Sequence, residues 1–240
     1  MVRKIIAYLL HVLLPRTCHA CGCDLPWNYN QPLCKNCMKQ LQVPGPLICR
    51  RCGAVLKSGG AHCFACRGSK AKKYKCQTIR SAWVFNTPSR ALVHALKYNQ
   101  QEYVAPFMAE QMMKRFCAYP ELSEADLIIP VPLFPRRKRA RGYNQSELLA
   151  RYFSKQTGID LDVASLVRVR NTVSQTTLGR RGRLENMVGA FLCKNPSNIK
   201  GKTVLLIDDV ATTGATLEGC AVALKQSGAK KVLAYTYARE

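Results

Sequence analysis

Sixteen residues near the carboxyl end, Lys202 to Leu217 (KTVLLIDDVATTGATL), restrict the fold more than any other stretch. Thr203 and the apolar run Val204 to Ile207 have the composition of a strand buried on both faces of a parallel sheet. The run stops at Asp208 and Asp209, which places both acids at the carboxyl end of a strand, where open α/β sheets bind ligands. Val210, Ala211, Thr212, Thr213, Gly214, Ala215 and Thr216 follow, small and partly hydroxylated. They lead into a helix whose apolar positions Leu217, Cys220, Ala221 and Leu224 keep the i, i+3, i+4, i+7 spacing. A loop of small residues opening a helix is an anion cradle, because its amides and the helix dipole face the anion while hydroxyls add donors. No Gly-Lys-Ser/Thr ending is present, which disfavours a nucleoside triphosphate loop.

Four apolar residues, two acids and Val-Ala-Thr-Thr-Gly-Ala-Thr resemble the phosphoribosyl pyrophosphate (PRPP) signature of type I phosphoribosyltransferases. The resemblance implies that Asp208 and Asp209 are the catalytic pair that hydrogen-bonds the ribose hydroxyls. It also implies that Ala211 to Thr216 wrap the 5′-phosphate, with Val210 part of the same PRPP-binding stretch. The plainer alternative is an ordinary βα turn with two acids before a helix. The PRPP assignment would fall if those acids were locked in internal ion pairs.

At 240 residues the chain is long enough for one sizeable core and an appendage. The 37 Lys and Arg against 14 Asp and Glu give a formal charge of +23, which favours phosphorylated or polyanionic partners without choosing among PRPP, pyrophosphate, nucleic acid and acidic lipid. Arg3 and Lys4 before the apolar run Ile5 to Leu14 have the outline of a signal peptide. However, His11 interrupts the run, Pro15 and Arg16 end it, and no Ala-x-Ala site precedes the first cysteine. The run is also too short to span a bilayer. The expectation is a short helix laying Ile5, Leu9 and Val12 or Leu13 on the body of a cytoplasmic protein without membrane insertion.

The amino-terminal third carries four C-x-x-C pairs: Cys18 and Cys21, Cys34 and Cys37, Cys49 and Cys52, Cys63 and Cys66. Twelve residues separate the first two pairs and ten the last two. Each pair offers two sulfurs at one tight turn, and two pairs complete the tetrahedron that structural zinc prefers. Sequential pairing gives two ribbons of four ligands each; cross-bracing of first with third and second with fourth also fits, and occupancy of a single site stays open. A reducing compartment disfavours a disulfide framework. Trp27 and Tyr29 either stack a base or cover a small hydrophobic centre, and the second suits so small a module. His19 and His62 lie beside cysteines without being needed as ligands. Cys23, Cys76, Cys117, Cys193 and Cys220 remain, of which Cys193 and Cys220 read as buried small apolar residues. Gly68 to Lys75 is a polar, basic linker, so residues 1–75 form the zinc module and 76–240 a second domain.

In that second domain, strands are expected at Ile79 to Phe85, Leu127 to Ile129, Leu166 to Val169, Ala190 to Cys193 and Val232 to Ala238. Helices are expected at Pro88 to Tyr98, Glu102 to Phe116 and after Asn144, which caps a helix that Glu147 supports and Gly158 stops. Alternating strands and helices predict a mainly parallel α/β sheet with helices on both faces. Arg136 to Arg141 is the densest charge in the chain, and Arg170 to Met187 is arginine-studded and aperiodic, the character of a functional flap.

Two further pieces widen the resemblance. Pro130 to Gln145 (PVPLFPRRKRARGYNQ) and Arg170 with Thr172, Gln175, Leu178, Arg183, Asn186 and Ala190-Phe191 are similar to the ComF family, as are Leu96-Lys97-Tyr98 and the four cysteine pairs. The resemblance implies a type I phosphoribosyltransferase-like fold behind zinc ribbons and a role in DNA uptake in competence or in use of external DNA. It implies PRPP as ligand, with magnesium, and places a pyrophosphate-binding loop just after Pro132 with Arg137, Arg139 and Arg141 as its cations. Arg180, Arg181 and Arg183 are the flap cations expected to close over the site, and Lys97 is a further one. Three functions then compete: a PRPP-regulated protein holding incoming single-stranded DNA, an active phosphoribosyltransferase with an unidentified acceptor, and an adaptor to helicase or uptake proteins.

Overall fold

The computed structural model describes residues 15–68, 74–171 and 187–240, together with Val12. Seven strands are present among them: β1 (Thr78–Val84), β2 (Leu127–Pro130), β3 (Asp160–Leu161), β4 (Leu166–Arg168), β5 (Phe191–Cys193), β6 (Thr203–Ala211) and β7 (Lys231–Arg239). The α-helices are α1 (Lys35–Lys39), α2 (Thr87–Tyr98), α3 (Val104–Phe116), α4 (Pro135–Arg141), α5 (Gln145–Thr157) and α6 (Ala215–Gln226). The expected helix over Ile5 to Leu13 and most of the expected flap lie outside the described residues.

Five strands form one sheet in the order β1-β7-β6-β2-β3, and every pairing is parallel. The central strands alternate strictly because successive side chains of a strand point to opposite faces. Leu205, Ile207, Leu233, Tyr235 and Tyr237 enter the core under α2, α3 and α5, whereas Val204, Leu206, Val232 and Ala234 enter the core under α6. Both faces are therefore buried, as the apolar run in β6 foretold. Caps fix the helices: Asn86 and Ser89 form a reciprocal capping box on α2, and Gly158 closes α5 in the left-handed region at φ 73°. Asn144 caps α5 through Ser146 N, but Glu147 turns to Lys138 and Arg151 instead of reaching back.

Two departures matter for the site. β6 does not end at the acids; it continues to Ala211 because β7 keeps pairing with it, Val210 against Ala238 and Ala211 against Arg239. On its other side β6 loses its partner after Ile207, where β2 ends. Asp208 and Asp209 thus line an open edge although the strand runs on. Strands β4 and β5 leave the main sheet and pair antiparallel beside α6.

The cysteine-rich segment packs along the edge strand β1. Arg51 O accepts from Ile79 N at 2.7 Å and Gln42 O accepts from Val84 N at 2.8 Å, so backbone bonds cover an edge that would otherwise recruit another strand. Leu25, Leu33 and Leu41 join the core beneath α2 and α3. No helix among the described residues is long and apolar enough to cross a membrane.

Candidate functional site

From β2 the chain moves outward to β3, and from β6 it moves the other way to β7, so the sheet's switch point lies between β2 and β6. A shallow cavity of about 210 Å³ opens there, bounded by the segment Val131 to Leu133 after β2 and by Asp208, Asp209, Val210 and Thr216 after the core of β6.

Both acids are buried. Asp208 Oδ1 accepts from Ser146 Oγ at 2.7 Å and from Asp209 N at 2.9 Å. Burial, together with the charge of Asp209, pushes the Asp208 carboxyl up to about 7. Asp209 is partly engaged in an internal ion pair, its Oδ1 lying 2.8 Å from Lys97 Nζ, whereas Asp208 is held by hydrogen bonds alone, so the two acids are not both locked. The reason is desolvation, because two adjacent carboxylates in a buried strand need a counter-charge. For Lys97, burial would lower the ammonium, yet the Asp209 and Asp208 charges outweigh it and hold the group above its usual range. The pairing is incomplete: Asp209 Oδ2 is buried without a hydrogen-bond partner. That orphaned acceptor faces the demand that buried polar atoms be satisfied, and a hydroxyl or cation from a ligand would meet it.

Local sequence explains how these groups meet. Tyr143 Oη donates to Leu96 O at 2.5 Å, fixing the end of α2 that carries Lys97, and Asn144 Nδ2 donates to Val131 O at 3.1 Å, pinning the segment after β2. Gly214 starts α6 at φ 78° with no cap from its own side chain, and Thr213 Oγ1 accepts from Ala215 N at 3.3 Å, which leaves the other first-turn amides of α6 for an anion at this loop. A side chain at Gly214 would be strained by that φ and would bring a Cβ within 3.0 Å of Ile79 Cδ1.

The basic run after Pro132 is a helix, α4, rather than a loop. Its spacing separates the expected cations: Arg137 and Arg141, four apart, line the cavity with Lys97, while Arg139 is exposed on another side of α4. Arg141 also hydrogen-bonds Gln145. Arg180, Arg181 and Arg183 lie outside the described residues. Arg168, on β4, reaches the same cavity. Burial and the nearby Arg137 charge lower its guanidinium from the ordinary value. Arg168, Ser146 and Gln145 were not singled out from sequence as site residues. Only the hydroxyl directly after Gln145 in the Gly-Tyr-Asn-Gln piece could have suggested Ser146, and nothing in the short strand could have suggested Arg168.

Two cysteine groups have all sulfurs within 4.8 Å of one another: Cys18, Cys21, Cys23 and Cys34, and Cys49, Cys52, Cys63 and Cys66. A tetrahedron of sulfurs about 2.3 Å from zinc has S···S edges of about 3.8 Å. The Cys21–Cys34 and Cys52–Cys63 distances are 3.8 and 3.7 Å, so the donor sets fit structural zinc. Pairing is sequential, not cross-braced. In the first group Cys23, left over by the C-x-x-C count, stands beside Cys18, Cys21 and Cys34, and the thiol of buried Cys37 is hydrogen-bonded to Cys18, Cys21 and Cys34, so five sulfurs gather there. His19 binds Tyr103 at 2.7 Å instead of a metal group, and Tyr29 covers the small core with its hydroxyl on Leu33 O.

Comparisons with known proteins agree with this architecture. The family model described as "Phosphoribosyl transferase domain" matches residues 103–240, and "Double zinc ribbon domain" matches residues 9–67. "DNA utilization protein YhgH" of Salmonella typhimurium is 29% identical over 229 residues, covering 94% of this chain and 98% of that protein. "Competence protein F" of Haemophilus influenzae is 29% identical over 212 residues, covering 86% and 90%, and "Competence protein ComFC" of Bacillus subtilis is 24% identical over 216 residues, covering 88% and 85%. The match over more than half of its length makes the chain a member of the phosphoribosyl transferase domain family, with paired cysteine clusters in front and homologues among the YhgH, competence protein F and ComFC proteins over most of its length.

Proposed function

We propose that the protein binds PRPP with magnesium at the switch-point cavity and handles incoming single-stranded DNA in the cytoplasm during uptake or use of external DNA. The observation that carries the ligand reading is the buried, unpartnered Oδ2 of Asp209 beside the glycine-led start of α6 and three cavity-lining arginines, Arg137, Arg141 and Arg168. In that reading Asp208 and Asp209 take the ribose hydroxyls, Thr212 to Thr216 take the 5′-phosphate and the arginines face the pyrophosphate. Magnesium would neutralise part of the pyrophosphate charge. The names of the relatives support the DNA role, as does the formal charge of +23 with Arg136, Lys138 and Arg139 exposed on α4.

Calorimetric titration tests the ligand. Wild type is expected to bind PRPP with magnesium, and Asp208→Ala with Asp209→Ala is expected to abolish binding while leaving zinc content unchanged; equal affinities would remove the assignment. DNA holding predicts single-stranded DNA affinity that falls steeply as salt rises.

A second reading, phosphoribosyl transfer, is favoured by one observation. A carboxyl held near 7 is matched to accept a proton from an acceptor at neutral pH, and Asp208 is such a group. Pyrophosphate release from PRPP that depends on an added acceptor would establish it, and binding without release would leave PRPP as a regulator.

A further inference from the structure

The second cysteine group and the phosphate loop touch through two separate sets of contacts. The first runs through Arg51, which sits inside the Cys49–Cys52 turn. Its Nη1 donates to Cys66 Sγ at 3.3 Å, its Nη2 donates to Glu218 Oε2 at 3.1 Å, and its guanidinium lies 3.3 Å from the centre of the Tyr74 ring. Glu218 belongs to the first turn of α6, directly behind the loop, and also accepts from Lys75 N at 2.6 Å and Cys76 N at 3.1 Å. The Arg51–Glu218 pair is buried. Such pairs add little net stability but leave a large penalty when one partner is lost, so their effect is to fix geometry.

The second set runs through Ile79. Gly53, at φ 68° in the same cysteine turn, lies so close to β1 that a Cβ there would come within 2.6 Å of Ile79 O. On the far side, Ile79 Cδ1 lies 3.0 Å from where a Cβ at Gly214 would stand. One residue thus packs against the backbone of both the cysteine turn and the glycine that opens the phosphate loop, too closely for a side chain at either glycine.

We infer that the second cysteine group is a strut for the phosphate loop: Arg51 and Ile79 transmit the metal-fixed shape of the Cys49–Cys66 turns to Glu218 and Gly214, making Arg51 a positioning residue for the anion site. Only a planar guanidinium bridges a sulfur and a carboxylate while stacking on a ring, so lysine is not an equivalent there. The first cysteine group, packed toward α3 through His19 and Tyr103, has no such route among the described contacts. The effect on anion affinity rests on the ribose-phosphate reading, whereas the mechanical coupling does not.

The test compares the full-length wild type with Cys63→Ser, Cys34→Ser, Arg51→Ala and Arg51→Lys. Readouts are zinc per chain, amide exchange of residues 211–219 and titration with ribose 5-phosphate. Cys63→Ser is expected to lose one zinc, to exchange about tenfold faster across the loop and to bind ribose 5-phosphate about tenfold more weakly, a usual size for coupling between sites. Cys34→Ser loses the other zinc and leaves both loop readouts at wild-type values. Arg51→Ala keeps both zinc ions yet loosens the loop as Cys63→Ser does, and Arg51→Lys falls between. Loop exchange in the Arg51 variants equal to wild type overturns the proposal, even if Cys63→Ser does not fold. If ribose 5-phosphate binds none of the proteins, wild type included, the ribose-phosphate reading falls while the exchange data still decide the coupling.

Discussion

Burial and the Asp209 charge push the Asp208 carboxyl from its ordinary 3.8 up to about 7, and that displacement makes stability depend on pH. A carboxyl raised in the folded state contributes its stability below pH 4; the contribution is lost as pH climbs from about 4 to about 7 and is absent above. Asp208→Asn keeps an acceptor for Ser146 and the Asp209 amide without the charge. The variant is expected to flatten this slope and to gain on the order of 2 kcal/mol at pH 8, while weakening PRPP binding. Urea unfolding at pH 5 and pH 8 checks it, and parallel shifts of both proteins would contradict it. Asp208 and Asp209 were legible because a strand-end acid pair followed by a small-residue loop is written in consecutive positions. Ser146 and Arg168 were not, since they reach the acids only across the fold.

Among elements, the strand-loop-helix of β6 and α6 concentrates the chemistry, and Gly214 makes its turn into the helix in the left-handed region. Gly214→Ala places a Cβ in a left-handed backbone against Ile79 and is expected to cost about 1–2 kcal/mol, with a lower denaturation midpoint and weaker ribose 5-phosphate binding. An unchanged midpoint would show that the loop yields. The cap of α2 offers a separate check: Asn86 holds Ser89 N and also donates Nδ2 to Gln40 O at 2.6 Å. Asn86→Ala should therefore lower stability by about 1–2 kcal/mol in a thermal melt, somewhat more than a cap alone. Helical and strand periods were readable along β6, α2, α3 and α5, where apolar spacing is regular. The antiparallel pair β4–β5 was readable only as two short strands, because strand direction and sheet membership depend on partners remote in sequence.

For the molecule as a whole, the cysteine segment and the sheet form one packed body. Ile79 N and Val84 N of edge strand β1 are bonded to the backbone at Arg51 and Gln42, and Leu25, Leu33 and Leu41 fill the core under α2 and α3. A fragment of residues 76–240 is expected to self-associate through the bared edge, visible as added mass in light scattering; a monodisperse monomer would contradict it. Most strands and helices, the acid-bearing loop and the C-x-x-C cysteines were legible in the sequence alone, because each depends on neighbours within a few positions and on the periods of 2 and 3.6. Tertiary structure decided the rest. It chose Arg137 and Arg141 over Arg139, brought in Arg168, gave Lys97 to Asp209, set Cys23 among the sulfurs and seated the second cysteine turn against α6. Those outcomes follow from sheet order and helix facing, which are settled by which apolar faces bury each other, not by any short run of residues.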